Sequence, residues 1–360
     1  SMPFARRQST RRKVLYTPEG PLYVTVSIGA VIFPGAINTA QDVMMRSDAA
    51  LQKAKQSGRD CAVTYMFSEE QKTHHKACIV IAEQVQRALR ENRLRFAYQP
   101  IVDSVTREPK LHECLLRIVQ PDGKIMVAGQ FMPVVEDLGM IRSVDRTVLE
   151  RAVEELAIYP DARMAINVSG LTTTDRSWMR SAVGLLRGQP DIAERMIVEI
   201  TETAGLEDLE ACCRFVSTLR DLGCEVALDD FGAGYTSFKH LKQLAVNKVK
   251  IDGAFVRNLG ENPDNLVFIR TLIRLARTFN LETVAECVET ETEAELLLNE
   301  GVHYMQGYAF GKPDLEVPWS RIGEAPQASF GGADYKPSEN KQDSDETSLI
   351  PMSLPMPAIG

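Results

Sequence analysis

Acidic and amide side chains recur in this chain directly after short apolar runs, where β-strands are expected to end. These residues are Glu113, Asn167, Glu199, Asp229, Asp230, Asp252 and Glu286. In a barrel of alternating strands and helices, the carboxyl ends of the strands converge on one face, where active sites of this architecture lie. A single acid after one strand usually forms a loop salt bridge. Six acids and one amide around one rim instead predict a functional site.

These candidate residues offer only oxygen atoms as ligands, with no His or Cys at the equivalent positions. Carboxylates gathered in one cleft repel each other and resist desolvation, unless protons or cations neutralise them. Oxygen ligands favour the hard cations Mg²⁺ or Mn²⁺ over zinc. The consecutive Asp229 and Asp230 provide what bridging two ions requires. The pattern therefore predicts a site for two divalent cations.

Eight short apolar segments alternate with amphipathic segments and would position these residues. The predicted strands are 94–103, 111–118, 163–168, 196–201, 224–230, 246–252, 282–288 and 303–310. Between them, apolar residues recur at helical spacing, as at Phe131, Val134, Val135 and Leu138. Eight strands with interleaved helices predict an α/β fold, a TIM-like (β/α)8 barrel preceded by a short N-terminal α/β fragment.

Composition excludes several other classes of protein. The 360 residues are 44% apolar and 25% charged, which is ordinary for a globular protein. The net charge of −8 gives little electrostatic reason to bind a nucleic-acid duplex. The seven scattered cysteines lack C-x-x-C spacing, which favours reduced thiols. Without an export signal, we expect a cytoplasmic protein whose only membrane contact would come through an upstream region outside this sequence.

The chain divides into five expected segments. Residues 1–22 form a flexible basic arm, 23–66 an incomplete fragment of strands and one helix, and 67–80 a connecting helix. Residues 81–320 form the barrel domain. Residues 324–360 are rich in Gly, Ser, Pro and charged residues, so we expect a disordered tail.

Short motifs follow one another in a fixed order through the barrel region. They are Tyr98-Gln99-Pro100-Ile101, Glu113-Cys114-Leu115, Ile166-Asn167-Val168-Ser169, Glu199-Ile200-Thr201-Glu202, 229–237, Lys250-Ile251-Asp252, 285–290 and 306–310. In this order they resemble the EAL family of cyclic di-GMP phosphodiesterases. The resemblance covers essentially the whole segment from about residue 80 to 318.

The resemblance implies roles for the matching residues. The implied metal ligands are Glu113, Asn167, Glu199, Asp229 and Asp230. The implied catalytic residues, beside the scissile phosphate and the attacking water, are Lys250, Glu286 and Asp252. The implied substrate-binding residues are Gln99, Leu115, Arg117 and Gln306. The residues implied to hold the mobile loop that begins at Asp229 are Glu202, Thr236 and Glu289.

The function implied by the resemblance is hydrolysis of cyclic di-GMP to linear 5′-pGpG by a homodimer. It would use two Mg²⁺ or Mn²⁺ ions and be inhibited by Ca²⁺. A catalytically inactive cyclic di-GMP receptor is the main alternative, although such receptors usually lose several ligands and none is lost here. An unrelated Mg²⁺-dependent barrel lyase would require the ordered motifs to be coincidental.

Three residues depart from the family pattern: Cys114 replaces an alanine, Thr236 a serine, and Cys287 a residue that is commonly glycine. Cys114 alternates with Glu113 in the strand and should face away from the metals. Cys287 would be strained if the backbone there requires a positive φ.

Residues 23–66 resemble the C-terminal end of a GGDEF diguanylate cyclase domain. The similar motifs are Val26-Ser27-Ile28-Gly29 and Ser47-Asp48-Ala49-Ala50-Leu51. The Gly-Gly-Asp/Glu-Glu-Phe loop of that family is absent from this sequence. We therefore expect no cyclase activity.

Overall fold

The computed structural model describes residues 4–8, 13–18, 20–32, 40–65, 69–203, 208–232 and 238–319. The chain divides into two units, Ser1–Glu324 and Ala325–Gly360, and all described residues belong to the first. The predicted tail lies outside the described residues.

The N-terminal elements form two small sheets and one helix. They are β1 (Phe4–Gln8), β2 (Lys13–Thr17), β3 (Gly20–Val24), β4 (Ile28–Val31), α1 (Ala40–Gln56) and β5 (Cys61–Tyr65). β5 pairs with β1 and β4, β2 pairs with β3, and α1 packs on the three-stranded sheet. Gly29 permits this close packing, because a Cβ there would lie 2.2 Å from the Ser47 carbonyl oxygen.

The structure describes two strands in the segment that the sequence predicts as a basic arm. The predicted flexible arm contains β1 and β2, because their backbone groups find hydrogen-bonding partners in β5 and β3. A basic composition does not prevent such pairing. Within and beside the predicted 23–66 fragment, β3 ends at Val24 and β4 begins at Ile28.

The second region is the predicted eight-stranded α/β barrel, which α2 (Glu69–Arg90) precedes. The strands of this sheet, all of which except β8 form the barrel, are β6 (Leu94–Asp103), β7 (Pro109–Val119), β8 (Ile125–Val127), β9 (Met164–Val168), β10 (Met196–Thr201), β11 (Glu225–Phe231), β12 (Lys248–Ile251), β13 (Glu282–Ala285) and β14 (Tyr304–Gln306). Pairing of β6 with both β7 and β14 closes the barrel, and β8 pairs with β7 alone. All eight predicted barrel strands are present.

The first barrel strand departs from regular β/α alternation. β6 runs antiparallel to β7 and β14, whereas the other barrel pairs are parallel. A hairpin joins β6 to β7, and Asp103 Oδ1 accepts the N–H groups of Val105 and Thr106 in its turn. A parallel crossover needs roughly a dozen residues, and the segment between these strands is too short for one.

Helices cover the outside of the barrel and bury their apolar faces against it. They are α3 (Ala128–Asp137), α4 (Ile141–Ile158), α5 (Arg176–Leu186), α6 (Pro190–Ala193), α7 (Leu209–Asp221), α8 (Phe238–Leu244), α9 (Gly253–Val256), α10 (Pro263–Thr278) and α11 (Glu291–Glu300). Among the described residues, no helix combines the length and hydropathy needed to cross a membrane.

The barrel interior consists of an apolar layer between two polar layers. The apolar layer contains Ile101, Leu111, Ala165, Ile197, Ala227 and Val284. At the end where the parallel strands begin, Glu225 pairs with Lys248 at 3.1 Å and with Arg163 at 2.8 Å. Because side chains alternate along a strand, the residue two positions beyond each apolar residue of the parallel strands points into the opposite end of the barrel, as does Gln99, two positions before Ile101 on the antiparallel β6. That end carries the predicted site.

Candidate active site

A buried lysine lies at the centre of the acidic end of the barrel. Lys250 on β12 is 1% exposed, and its ammonium group contacts four carboxylates. The distances from Lys250 Nζ are 3.3 Å to Glu113, 2.8 Å to Glu199, 3.1 Å to Asp229 and 2.8 Å to Glu286. Parallel pairing of the strands brings together these residues, which are far apart in sequence. The structure thus gathers most of the predicted ligands around one predicted catalytic residue.

Three amide side chains complete this cluster. Gln306 Nε2 donates to Glu113 Oε2 at 2.7 Å and to Gln99 Oε1 at 3.1 Å. Asn167 Nδ2 donates to the other Glu113 oxygen at 2.6 Å. With its donor group directed at Glu113, Asn167 retains its carbonyl oxygen as an available ligand. Both predicted glutamine contacts therefore lie directly beside the carboxylates.

The strand-end interpretation was wrong for Glu113, which lies in the middle of β7. This strand continues to Val119 because β6 pairs with it along nearly its whole length. Leu115 and Arg117 follow on the same side of the strand, as predicted substrate contacts would require. Burial lowers the pKa of Arg117, and the neighbouring Tyr308 and Glu113 oppose this shift.

The positive charge of Lys250 compensates the surrounding carboxylates only in part. Burial raises the pKa of Glu199 well above its usual range and that of Glu286 to about 7, despite the opposing effect of Lys250. For Glu113, the ammonium group of Lys250 and two amide hydrogen bonds outweigh burial, so its pKa is lowered. Burial alone would lower the pKa of Lys250, but the surrounding carboxylates raise it well above normal. One lysine therefore does not neutralise the cluster.

A triad of carboxylates fits a cation in this region. Ligand oxygens of Asp229, Asp230 and Glu286 lie within 4.8 Å of one another. Asp229 Oδ1 is buried and has no hydrogen bond of good geometry, although Lys250 Nζ lies 3.1 Å away. Burial and the charges of Asp229 and Asp252 raise the pKa of Asp230. An unsatisfied oxygen in an all-oxygen donor set fits a hard divalent cation. Glu286, predicted as catalytic, is equally placed as a ligand.

The remaining predicted residues differ in how closely they join the cluster. Asp252 caps α9, since its Oδ1 accepts the N–H of Ala254 at 2.7 Å, so one of its oxygens is already bound. Glu202 Oε2 accepts the N–H of Gly232 at 3.0 Å, at the start of the predicted mobile loop. Glu289 is exposed and lies 3.8 Å from Arg257. Thr236 lies outside the described residues.

Cys114 and Cys287, which both depart from the family pattern, have different surroundings in the structure. Cys114 is buried in the main apolar core outside the barrel lumen, so it faces away from the site as predicted. Cys287 has φ 55°, the left-handed conformation that favours glycine. Its side chain packs against Gly253, where an added Cβ would lie 2.4 Å from Cys287 Sγ. The expected strain at Cys287 is therefore present, directly beside Glu286.

Sequence reasoning missed a buried carboxylate beside the site. Glu293 Oε2 accepts the N–H groups of Glu289 and Thr290 at 2.9 and 3.0 Å, and its Oε1 accepts that of Asn258 at 2.9 Å. It therefore joins the connections that follow β12 and β13. The Thr-x-x-Glu spacing of a capping box at Thr290 was the available signal.

The fold and the site together define a β/α-barrel protein with an acidic, lysine-centred cluster at the carboxyl ends of its strands. Residues 82–313 match the model of the EAL domain family, and the chain belongs to this family.

Named relatives and a solved structure are consistent with this membership. The chain is 30% identical over 296 residues to the bifunctional diguanylate cyclase/cyclic di-GMP phosphodiesterase MucR of Pseudomonas aeruginosa, covering 81% of this chain and 43% of MucR. It is 30% identical over 308 residues to the cyclic di-GMP phosphodiesterase PdeB of Shewanella oneidensis, covering 84% of this chain and 36% of PdeB. A solved PaMucR phosphodiesterase in complex with c-di-GMP is similar, with TM-score 0.61, 30% identity, and coverage of 65% of this chain and 97% of that chain. The chain thus spans less than half the length of these two curated relatives.

Proposed function

We propose that this chain hydrolyses cyclic di-GMP to linear 5′-pGpG and requires Mg²⁺ or Mn²⁺. The observation that carries the proposal is the convergence of four carboxylates on Lys250. Arg117 lies near them, on the same side of β7 as Glu113. The printed names of the relatives at 30% identity, and the bound cyclic dinucleotide in the similar solved structure, support the choice of substrate.

The candidate ligands divide between two ions. Glu113, Asn167, Glu199 and Asp229 would hold one ion, and Asp230 would hold the second with Asp229 and Glu286 nearby. When bound, divalent cations supply Lewis acidity and lower the pKa of water. Their positive charge would also oppose the burial, and the repulsion between carboxylates, that raise the pKa values of Glu199 and Glu286.

Three side chains would act on the substrate and its nucleophile. Arg117 would hold a phosphate oxygen, for which a guanidinium group is well suited. Lys250 would place positive charge where negative charge develops on the reacting phosphate. A carboxylate oxygen of Glu286 would position the attacking water and could accept its proton, because this carboxylate lies beside both Lys250 and the candidate metal ligands Asp229 and Asp230.

An exposed tyrosine offers a surface for a nucleobase. Tyr308 follows Gln306 by two residues, is 60% exposed, and has the Lys312 ammonium 5.3 Å from its ring centroid. Tyr308 is also one of the groups that raise the pKa of Arg117, the candidate for phosphate binding, which supports including it in the site. Aromatic rings bind bases by stacking, and we include Tyr308 in the proposed site as the contact for one guanine.

The homodimer that the family resemblance implies stays a prediction.

The deciding experiment incubates the full chain with cyclic di-GMP and separates the products by chromatography. We expect 5′-pGpG with Mg²⁺ or Mn²⁺, and inhibition by Ca²⁺, which takes more ligands at longer distances. Glu113→Gln should reduce turnover by about 10²-fold or more, because it removes a negative charge from the ligand set. Glu225→Gln, in the polar layer at the opposite end of the barrel, is the matched control and should retain turnover.

Two outcomes would contradict the proposal. Unaltered turnover by Glu113→Gln would remove the metal assignment. A wild-type chain that binds cyclic di-GMP in Ca²⁺ but forms no product in Mg²⁺ or Mn²⁺ would establish the inactive receptor instead.

A further inference from the structure

A second buried carboxylate lies behind the site, on the helix that precedes β9. Asp145 of α4 is 3% exposed, and its Oδ2 accepts the Ser169 N–H at 3.0 Å and the Thr172 hydroxyl at 2.6 Å. Its main-chain carbonyl accepts the indole N–H of Trp178 on α5 at 3.1 Å. Asp145 therefore joins α4, α5 and the turn that leaves β9.

This turn determines how Asn167 is presented to the site. β9 ends at Val168, and Ser169 caps the 3-10 helix Gly170–Thr174. Asp145 accepts the backbone N–H of Ser169, two residues beyond Asn167, where the strand ladder has ended. The turn is thereby held by a side chain from another element. A shift of this turn would displace the Asn167 amide from Glu113, which lies 2.6 Å away.

The arrangement is costly, which argues against a role in stability alone. Burial raises the pKa of Asp145 to about 6. Within the described part of the chain, no basic side chain forms an ion pair with it. A buried carboxylate without an ion-pair partner is costly to desolvate, and its hydrogen bonds are what offset that cost. Two hydrogen bonds to one turn are therefore the specific contribution of this side chain.

We propose that Asp145 is a positioning residue that holds the turn after β9 so that Asn167 can act as a metal ligand. The proposal rests on the proposed function, in which Asn167 contributes to the cation site. Removing a group that orients a metal ligand without touching the metal typically lowers metal affinity by about 10- to 100-fold. Asp145 would act entirely through Asn167 and would not touch the substrate.

The test compares Mn²⁺ affinity by titration calorimetry in four variants of the full chain. Asp145→Leu should weaken Mn²⁺ binding by about 10- to 100-fold. Thr172→Val removes one of the two hydrogen bonds with little change of shape, so it should cause a smaller loss and covers the case in which Asp145→Leu does not fold. Asp145→Asn should stay within about 3-fold of wild type, because one carbonyl oxygen can accept both hydrogen bonds.

The matched control is Glu155→Leu on the same helix. Glu155 is also buried, accepts the Tyr98 hydroxyl at 2.5 Å and pairs with Arg151 at 3.1 Å, but it faces β6 instead of β9. It should leave Mn²⁺ affinity within about 3-fold of wild type. Hydrogen exchange of residues 167–174 without added metal is the second readout, and it should accelerate in Asp145→Leu but not in Glu155→Leu.

Several results would overturn the inference. Wild-type Mn²⁺ affinity in both Asp145→Leu and Thr172→Val would do so, as would an equal loss in Glu155→Leu. A wild-type chain that binds no Mn²⁺ would overturn the metal site itself. The exchange measurement would then still decide whether Asp145 orders the turn.

Discussion

The ammonium nitrogen of Lys250 lies 2.8 Å from a carboxylate oxygen of Glu286, and Glu113, Glu199 and Asp229 surround the same nitrogen. Lys250 is 1% exposed, so removing it would leave buried and partly buried carboxylates without their counter-charge. Bound cations would contact the same oxygens. Lys250 and the proposed ions therefore share one task, the neutralisation of this cluster.

Lys250→Met should reveal this shared task. In protein treated with a chelator, we expect the free energy of unfolding to fall by about 3 kcal/mol or more, as when a buried ion pair loses one partner. Added Mn²⁺ should then raise the melting temperature of Lys250→Met more than that of wild type.

The control is Lys248→Met, which removes the other buried lysine of β12 and its ion pairs with Glu225 and Glu282 at the far end of the barrel. It should be destabilised but should gain the same increment from Mn²⁺ as wild type. Equal Mn²⁺ increments in all three proteins would show that Lys250 and the ions do not share these carboxylates.

Metal binding should depend on pH through Glu286. Burial raises the pKa of this carboxyl to about 7, so it carries a proton below that pH and must lose it to bind a cation. Mn²⁺ affinity should therefore rise as the pH increases through about 7 and level off above it. Calorimetry in buffers of different ionisation enthalpy should detect proton release at about pH 6 and less at about pH 8. A pH-independent affinity across this range would contradict the assignment.

Tyr308→Ala should weaken recognition of the base without impairing the chemical step. We expect KM for cyclic di-GMP to rise by about 5- to 100-fold, the scale of one lost stacking contact. Tyr308→Phe retains the ring and should resemble wild type. Hydrolysis of bis(p-nitrophenyl) phosphate, which carries no guanine, is the control reaction and should be unchanged in both variants. Equal losses on both substrates would assign Tyr308 to the structure of the site instead.

Cys287→Gly should stabilise the protein. The left-handed conformation at φ 55° costs a residue with a Cβ about 1 kcal/mol, which glycine avoids. Cys287→Ala retains the Cβ and is the control, because it removes the sulfur but not the strain. Urea unfolding should rank Gly above Ala by about 1 kcal/mol. If the glycine variant is no more stable than the alanine variant, the left-handed backbone at residue 287 imposes no measurable strain.

Much of the barrel was predictable because its pattern is local. Each strand can be recognised from a few consecutive residues, because apolar runs and the alternation of side chains between two faces are local features. The eight strands were therefore located, and the oxygen-only character of the ligand candidates was evident from residue type. The ordered motifs pointed to the EAL family, which the match over residues 82–313 confirms.

The reversed direction of β6 and the partners of each site residue depended on the folded chain. Lys250 and Glu113 are 137 residues apart in sequence, and their contact follows from strand order and register. The hydrogen bonds of Asp145 likewise depend on the folded chain, because their donors lie on the turn after β9. Local residue patterns specify which face of a strand is polar, but hydrogen-bond ladders between distant segments determine which polar groups meet.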